Sequence, residues 1–146
     1  MDNSTIENLN IVLTKTLHLK EGFQELSEMT TGELSDKLKE LAKDTNRQSE
    51  TLMKGISDFG GDVETTERQT DQASINWVSH PLPDANDKRA ILECLLNGEK
   101  KREDELNTKF SGKDVDREVK NLLMKYKQKN ESNLVYFQTA LKKLKE

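Results

Sequence analysis

The stretch "ECLLNGEKKREDEL", residues 93–106, reads as helix from end to end, yet it carries Gly98 at its centre and Glu99 beside it. A glycine inside a helix costs about 1 kcal/mol relative to alanine. Ile91, Leu95, Leu106 and Phe110 show that the same helix has a core-facing stripe. Two physical reasons account for the pair. Without a Cβ, Gly98 lets a neighbouring helix or a crossing segment approach closely. A carboxylate turned inward beside it then needs a partner, because an unpaired buried charge costs several kcal/mol. Lys20 and Arg102, the latter one turn on from Glu99, are the candidate counter-ions. The "GE" pair therefore reads as a packing notch next to a buried or half-buried charge.

Working outward, three more helices emerge. The first starts after Asn3 or Ser4, presents Ile6, Leu9, Leu13, Leu17, Phe23 and Leu26, and ends near Met29. "MTTGEL" is a short turn, with Thr30 or Thr31 capping the second helix. Leu34, Leu38, Leu41, Thr45, Gln48, Leu52, Ile56 and Phe59 then step by three and four until "FGGD" stops them. Residues 61–85 break the pattern, with a short helix expected around Ile75, Trp77 and Val78 and extended backbone forced by Pro81 and Pro83. The third helix is expected to start near Asp84 or Asn86. After "FSGKD", Val119, Leu122, Tyr126, Asn130, Asn133, Phe137, Leu141 and Leu144 give the fourth. Two antiparallel hairpins joined by a long crossover, with Trp77 as its anchor, describe an all-α, ferritin-like four-helix bundle spanning residues 1–146 as a single domain. A simple up-down bundle and a long coiled-coil hairpin share the pattern.

Composition agrees with amphipathic helices. The chain of 146 residues is 32% hydrophobic and 34% charged, with two prolines and seven glycines. Its 23 basic and 27 acidic residues are interleaved, which speaks against nucleic acid as a partner. Lys142, Lys143 and Lys145 close the last helix, where cations complement its dipole. No apolar run is long enough for a membrane span, and no signal peptide is expected from the opening residues. The single cysteine, Cys94, excludes an intrachain disulfide and suits a reducing compartment, so the expected location is cytoplasmic.

Polar pairs interrupt two of the stripes at mid-helix: Thr45 with Gln48, and Asn130 with Asn133. Di-iron carboxylate bundles take one Glu from each of two helices and a Glu-x-x-His pair from each of the other two. Here Glu21, beside Gly22, and Glu99 stand at the single-carboxylate positions, while the pairs hold neither Glu nor His. The expected polar middle layer is Lys20, Glu21, Thr45, Gln48, Glu99, Arg102, Asn130 and Asn133. His18 and Glu21 share a helix face and, with Glu99, form the candidate set for a metal; His80 lies in the crossover.

"LKEGFQELSE", "GISDFGGD", the tryptophan of "ASINWVSH" and "AILECLLNGEKKREDEL" together resemble an uncharacterised bacterial family of ferritin-like four-helix bundles, a domain of unknown function. The resemblance covers nearly the whole chain. It implies the bundle fold, a bacterial origin and a stress-related setting, with no activity to carry over. In the family pattern the acidic position of the first helix aligns with Lys20 rather than Glu21, while Glu99 matches.

No nucleophile arrangement, phosphate loop or zinc spacing is present, and no catalytic residue is assigned. The first expectation is a non-catalytic bundle without an intact di-iron site, acting through a protein partner or self-association and needing no cofactor. The alternative is a protein that binds iron or manganese at a degenerate carboxylate site. A small-ligand pocket between the helices is a third.

Overall fold

The three-four spacing becomes four long helices: α1, Asn3–Met29; α2, Gly32–Asp58; α3, Lys88–Phe110; and α4, Arg117–Lys145. This computed structural model describes residues 3–64, 77–78, 82–112 and 115–145, and no strand occurs among them. The described residues form an all-helical bundle. None of its described helices is long and apolar enough to cross a membrane. The sequence expectations for Ile75, His80 and Pro81 fall outside the described residues; of the short helix expected around Ile75, only Trp77 and Val78 are described, and they form a bend.

The helix ends follow local chemistry. The Thr30 hydroxyl donates to the Leu26 carbonyl and closes α1. Gly32, at φ +70°, makes the turn into α2, a conformation that disfavours a side chain. Thr31, one of the two expected residues, stands at the N-cap of α2, but its side chain makes no capping bond. Gly60, at φ +82°, terminates α2. α3 starts close to Asn86, the later of the two expected positions. Asp84 is occupied in a turn, accepting from the Asn86 N–H, and Asp87 is the cap, accepting from the Ala90 N–H at 2.9 Å.

The core runs the length of the bundle. Leu9, Leu13, Phe23, Leu38, Leu41, Leu52, Ile56, Ile91, Leu92, Leu106, Val119, Leu123 and Phe137 are all buried within it. Leu144, expected at the end of the α4 stripe, is exposed in the last turn. α1 packs along α2, α3 along α4, and α2 meets α4 along a shorter seam.

The described residues at the start and middle of the crossover lie against α1 and α3. Asn10 of α1 donates to the Asp62 carbonyl and accepts from the Glu64 N–H, fixing the start of the crossover. Further along, Trp77 and Val78 are buried. A Cβ at Gly22 of α1 would lie 3.3 Å from the Val78 side chain, and one at Gly98 of α3 only 2.3 Å from the Trp77 carbonyl oxygen. The glycine at the centre of "LLNGEKK" is therefore required by backbone passing over it.

Candidate functional site

Glu99, next to Gly98, and Arg102 are 1% and 0% exposed, the most deeply buried charges among the described residues. The i, i+3 spacing on α3 puts them on one face. Arg102 donates to Glu99 Oε2 from Nε at 3.0 Å and from Nη2 at 2.7 Å. Asn130 of α4 donates to the same oxygen at 2.6 Å and to the Glu99 carbonyl at 3.0 Å. Asn133, one turn further, donates to Oε1 at 3.0 Å. A carboxylate only accepts, so both asparagines turn their NH2 groups toward it.

The guanidinium is held on its other side as well. Its Nη1 donates to Gln48 Oε1 of α2 at 3.3 Å and to the Tyr126 hydroxyl of α4 at 3.4 Å. Tyr126 and Thr16 of α1 lie 2.6 Å apart through their hydroxyls, and Thr16 donates to the Val12 carbonyl at 2.7 Å. With Thr16 committed to Val12, Tyr126 must be the donor to Thr16, leaving its oxygen to accept from Arg102. The order of donation is thus fixed from Arg102 to Tyr126 to Thr16 to Val12. The guanidinium also sits 5.1 Å from the Tyr126 ring centre and 5.7 Å from that of Trp77, within cation–π range of both.

Burial opposes the charge of Arg102, but neighbouring Glu99 and Tyr126 outweigh it and hold the guanidinium above its ordinary value. Burial pushes the Tyr126 hydroxyl up, against the pull of Arg102 and of the Thr16 hydrogen bond. Neither group gives up its proton near neutral pH. The oxygens of Glu99 are occupied by four N–H donors. The cluster can bind its own members tightly; it has no group free to transfer a proton or attack a substrate.

A second, smaller polar cluster adjoins it. Glu105, two turns beyond Glu99, accepts through Oε1 from Lys15 of α1 and from Trp77 Nε1, the latter at 3.1 Å. Its Oε2 has no hydrogen bond and faces Lys109 at 3.8 Å. Trp77 is thereby tied to α3 by both its carbonyl and its ring.

Of the eight residues expected in the middle layer, Gln48, Glu99, Arg102, Asn130 and Asn133 meet in one network. Thr45 is buried near it but donates to its own helix, at the Leu41 carbonyl. Lys20 lines an outer groove between α1 and α2 with Lys39 and Lys43, so the counter-ion of Glu99 is Arg102. Glu21 is exposed and His18 half-buried. Among the described residues, no three of His, Cys, Asp and Glu come close enough to hold a metal ion. A di-iron centre needs several anionic or imidazole ligands, whereas this position offers one carboxylate, a guanidinium and two amide NH2 groups; the residues do not fit it. Sequence reasoning missed Thr16, Lys15 and Glu105. The signal for Lys15 was available, a lysine set among Val12, Leu13, Leu17 and Leu19.

Compared with protein-family models, curated proteins and solved structures, the chain matches none.

Proposed function

We propose that this chain is a ferritin-like bundle whose mid-bundle position is held by an internal guanidinium rather than a metal centre, and that it works without catalysis. In this reading it acts through a partner protein or a second copy of itself, in a bacterial cytoplasm and a stress-related setting, as the family resemblance implies. The observation that carries the proposal is the Glu99–Arg102 pair, in which the positive charge that a carboxylate bundle takes from metal comes from the chain itself.

The contact pattern supports the topology. Ser35 at the start of α2 donates to Ser27 near the end of α1, and Gly61 after α2 lies against Ile6, as in an antiparallel hairpin. Glu99 with Asn133, and Arg102 with Tyr126, give α3 and α4 the same relation. Asp44 pairs with Lys129 while Gly55 meets Leu122, so α2 and α4 also run in opposite senses. In a plain up-down bundle those two helices would be parallel; a long crossover reverses the second hairpin.

Elemental analysis of protein purified without chelator, then incubated with ferrous iron, manganese or zinc, tests the metal half of the proposal. Trace metal in both wild type and Glu99→Gln is expected. Stoichiometric iron or manganese that disappears in Glu99→Gln would establish the degenerate carboxylate site instead. Sedimentation over a wide concentration range tests self-association, with a concentration-dependent mass expected unless the partner is another protein.

A further inference from the structure

We infer that the seam between α2 and α4 is a binding site for a small amphiphilic anion, a monocarboxylic acid with an apolar tail or ring. The inference goes beyond the proposed function and does not depend on it.

The seam is closed at two points. At one end Gly55 lacks the Cβ that would lie 2.6 Å from a methyl of Leu122, so the helices come together there. At the other, Asp44 and Lys129 form an ion pair at 2.8 Å. Between Asp44 and Gly55 runs about 16 Å of helix, and over that span the walls part. The result is a groove of about 340 Å³, at the small end of the range typical of ligand sites.

Its walls divide by chemistry. Leu52, Leu122 and the Tyr126 ring supply the apolar surface. Arg47, Lys125 and Lys129 stand around it, and no carboxylate is among its described lining residues. Asp44 contacts two of those cations, Lys129 and Arg47, the latter at 3.6 Å, leaving an excess of positive charge at the rim. Lysine and arginine stems extend apolar surface while keeping their charges in water, which suits a ligand with a buried body and a solvated head. Gln48 stands at the inner wall. Its NH2 group is held only by a long bond, 3.4 Å to the Tyr126 carbonyl, and can be shared with a ligand carboxylate while Oε1 goes on accepting from Arg102 at 3.3 Å. A neutral apolar ligand would leave the rim cations unused, and a cation would be repelled by them. A carboxylate with an apolar body matches both surfaces.

Titration with decanoate below its micelle threshold, with decanol and decyltrimethylammonium as charge controls, tests the site by calorimetry and amide NMR shifts. Decanoate should bind saturably at one site, moving the amides of Gln48, Thr51, Leu52 and Leu122, and more tightly than either control. Lys125→Glu, at an exposed position, should weaken decanoate about fivefold, the scale of an exposed ion pair, and leave decanol unchanged. Thr51→Trp, also exposed, should obstruct the groove and abolish binding while the fold is retained. Absence of saturable binding, shifts confined to other helices, or decanol binding as tightly as decanoate would each overturn the assignment.

Discussion

Gly22 of α1 and Gly98 of α3 receive the same stretch of crossover, Val78 against one and Trp77 against the other, yet the glutamates beside them have opposite fates. Glu21 is exposed; Glu99 is buried. The difference is order along the chain. Glu21 precedes its glycine and Glu99 follows, and successive helical residues point about 100° apart, so the two carboxylates leave their notches on opposite sides. Counted from each glycine, the counterpart of Glu99 is Phe23 and that of Arg102 is Leu26, both fully buried. The counterpart of Glu21 is Asn97, which is exposed. One helix fills the inward positions with hydrocarbon, the other with an ion pair. A repeated packing frame does not imply a repeated site.

Making α3 resemble α1 is the most direct way to break the contrast. Arg102→Leu should cost about 3–5 kcal/mol, because it strands Glu99 without a counter-charge. The double variant Glu99→Leu/Arg102→Leu should recover at least half of that loss, since an apolar replacement of both partners removes the desolvation penalty along with the attraction. Urea denaturation measures both, and a double variant no better than the single would show that the surrounding amides, not the charge, dominate. Trp77→Ala should cost a similar 3–5 kcal/mol by removing a buried aromatic. A negligible loss would mean that the crossover contributes little to the fold.

The two glycines should then separate. Gly98→Ala meets a backbone oxygen that cannot move aside and should destabilise by about 1–3 kcal/mol. Gly22→Ala meets only the Val78 side chain, and its gain in helix propensity of about 1 kcal/mol should leave it near neutral in the same assay. Tyr126→Phe should cost about 1–2 kcal/mol at neutral pH, for the hydrogen bonds to Arg102 and Thr16. Because burial raises the Tyr126 value above its ordinary 10.0, the folded chain holds that proton longer than the unfolded one. Its contribution is complete below the unfolded value and is lost as pH rises toward the folded value. The alkaline limb of stability above pH ~10 should therefore be shallower in Tyr126→Phe. Tyr136, raised by burial and by Glu33 and Glu40, shares that sign, so a part of the limb should remain. Glu21→Gln should likewise stay near neutral, changing stability by less than about 0.5 kcal/mol.

How much of this was legible in the sequence follows from which neighbours each helix has. α2 and α4 bury one face each, so their apolar residues recur at three and four and their extents could be read directly. α1 is harder. Besides Leu9 and Leu13 it buries Asn10, Val12, Thr14, Lys15 and Thr16, an almost unbroken run, because partners meet it on several sides: the Asp62 and Glu64 backbone at Asn10, Glu105 of α3 at Lys15 and Tyr126 of α4 at Thr16. Such coverage comes from residues far along the chain and leaves no period in α1 itself. The pairing of Glu99 with Arg102 was readable as an i, i+3 spacing, and Gly98 as a notch. That Gln48, Asn130 and Asn133 would converge on that pair while Thr45 turned to its own backbone depended on the rotation of α2 and α4. Spacing along one helix does not fix that rotation.

The position of Trp77 also has a kinetic meaning. Its carbonyl fills the notch at Gly98, its indole N–H binds Glu105, and its ring stands beside the Arg102 guanidinium. Until that residue docks, water has a route to the charges of α3, and ions that stay hydrated are not costly. Docking strips the water away, so the dehydration of Glu99 and Arg102 coincides with arrival of the crossover. The bundle's helices can collapse early around their leucines, while the ion pair becomes dry only at the last closure. Native-state hydrogen exchange would then find the crossover opening first, with the side chains of Asn130 and Asn133 exchanging along with it.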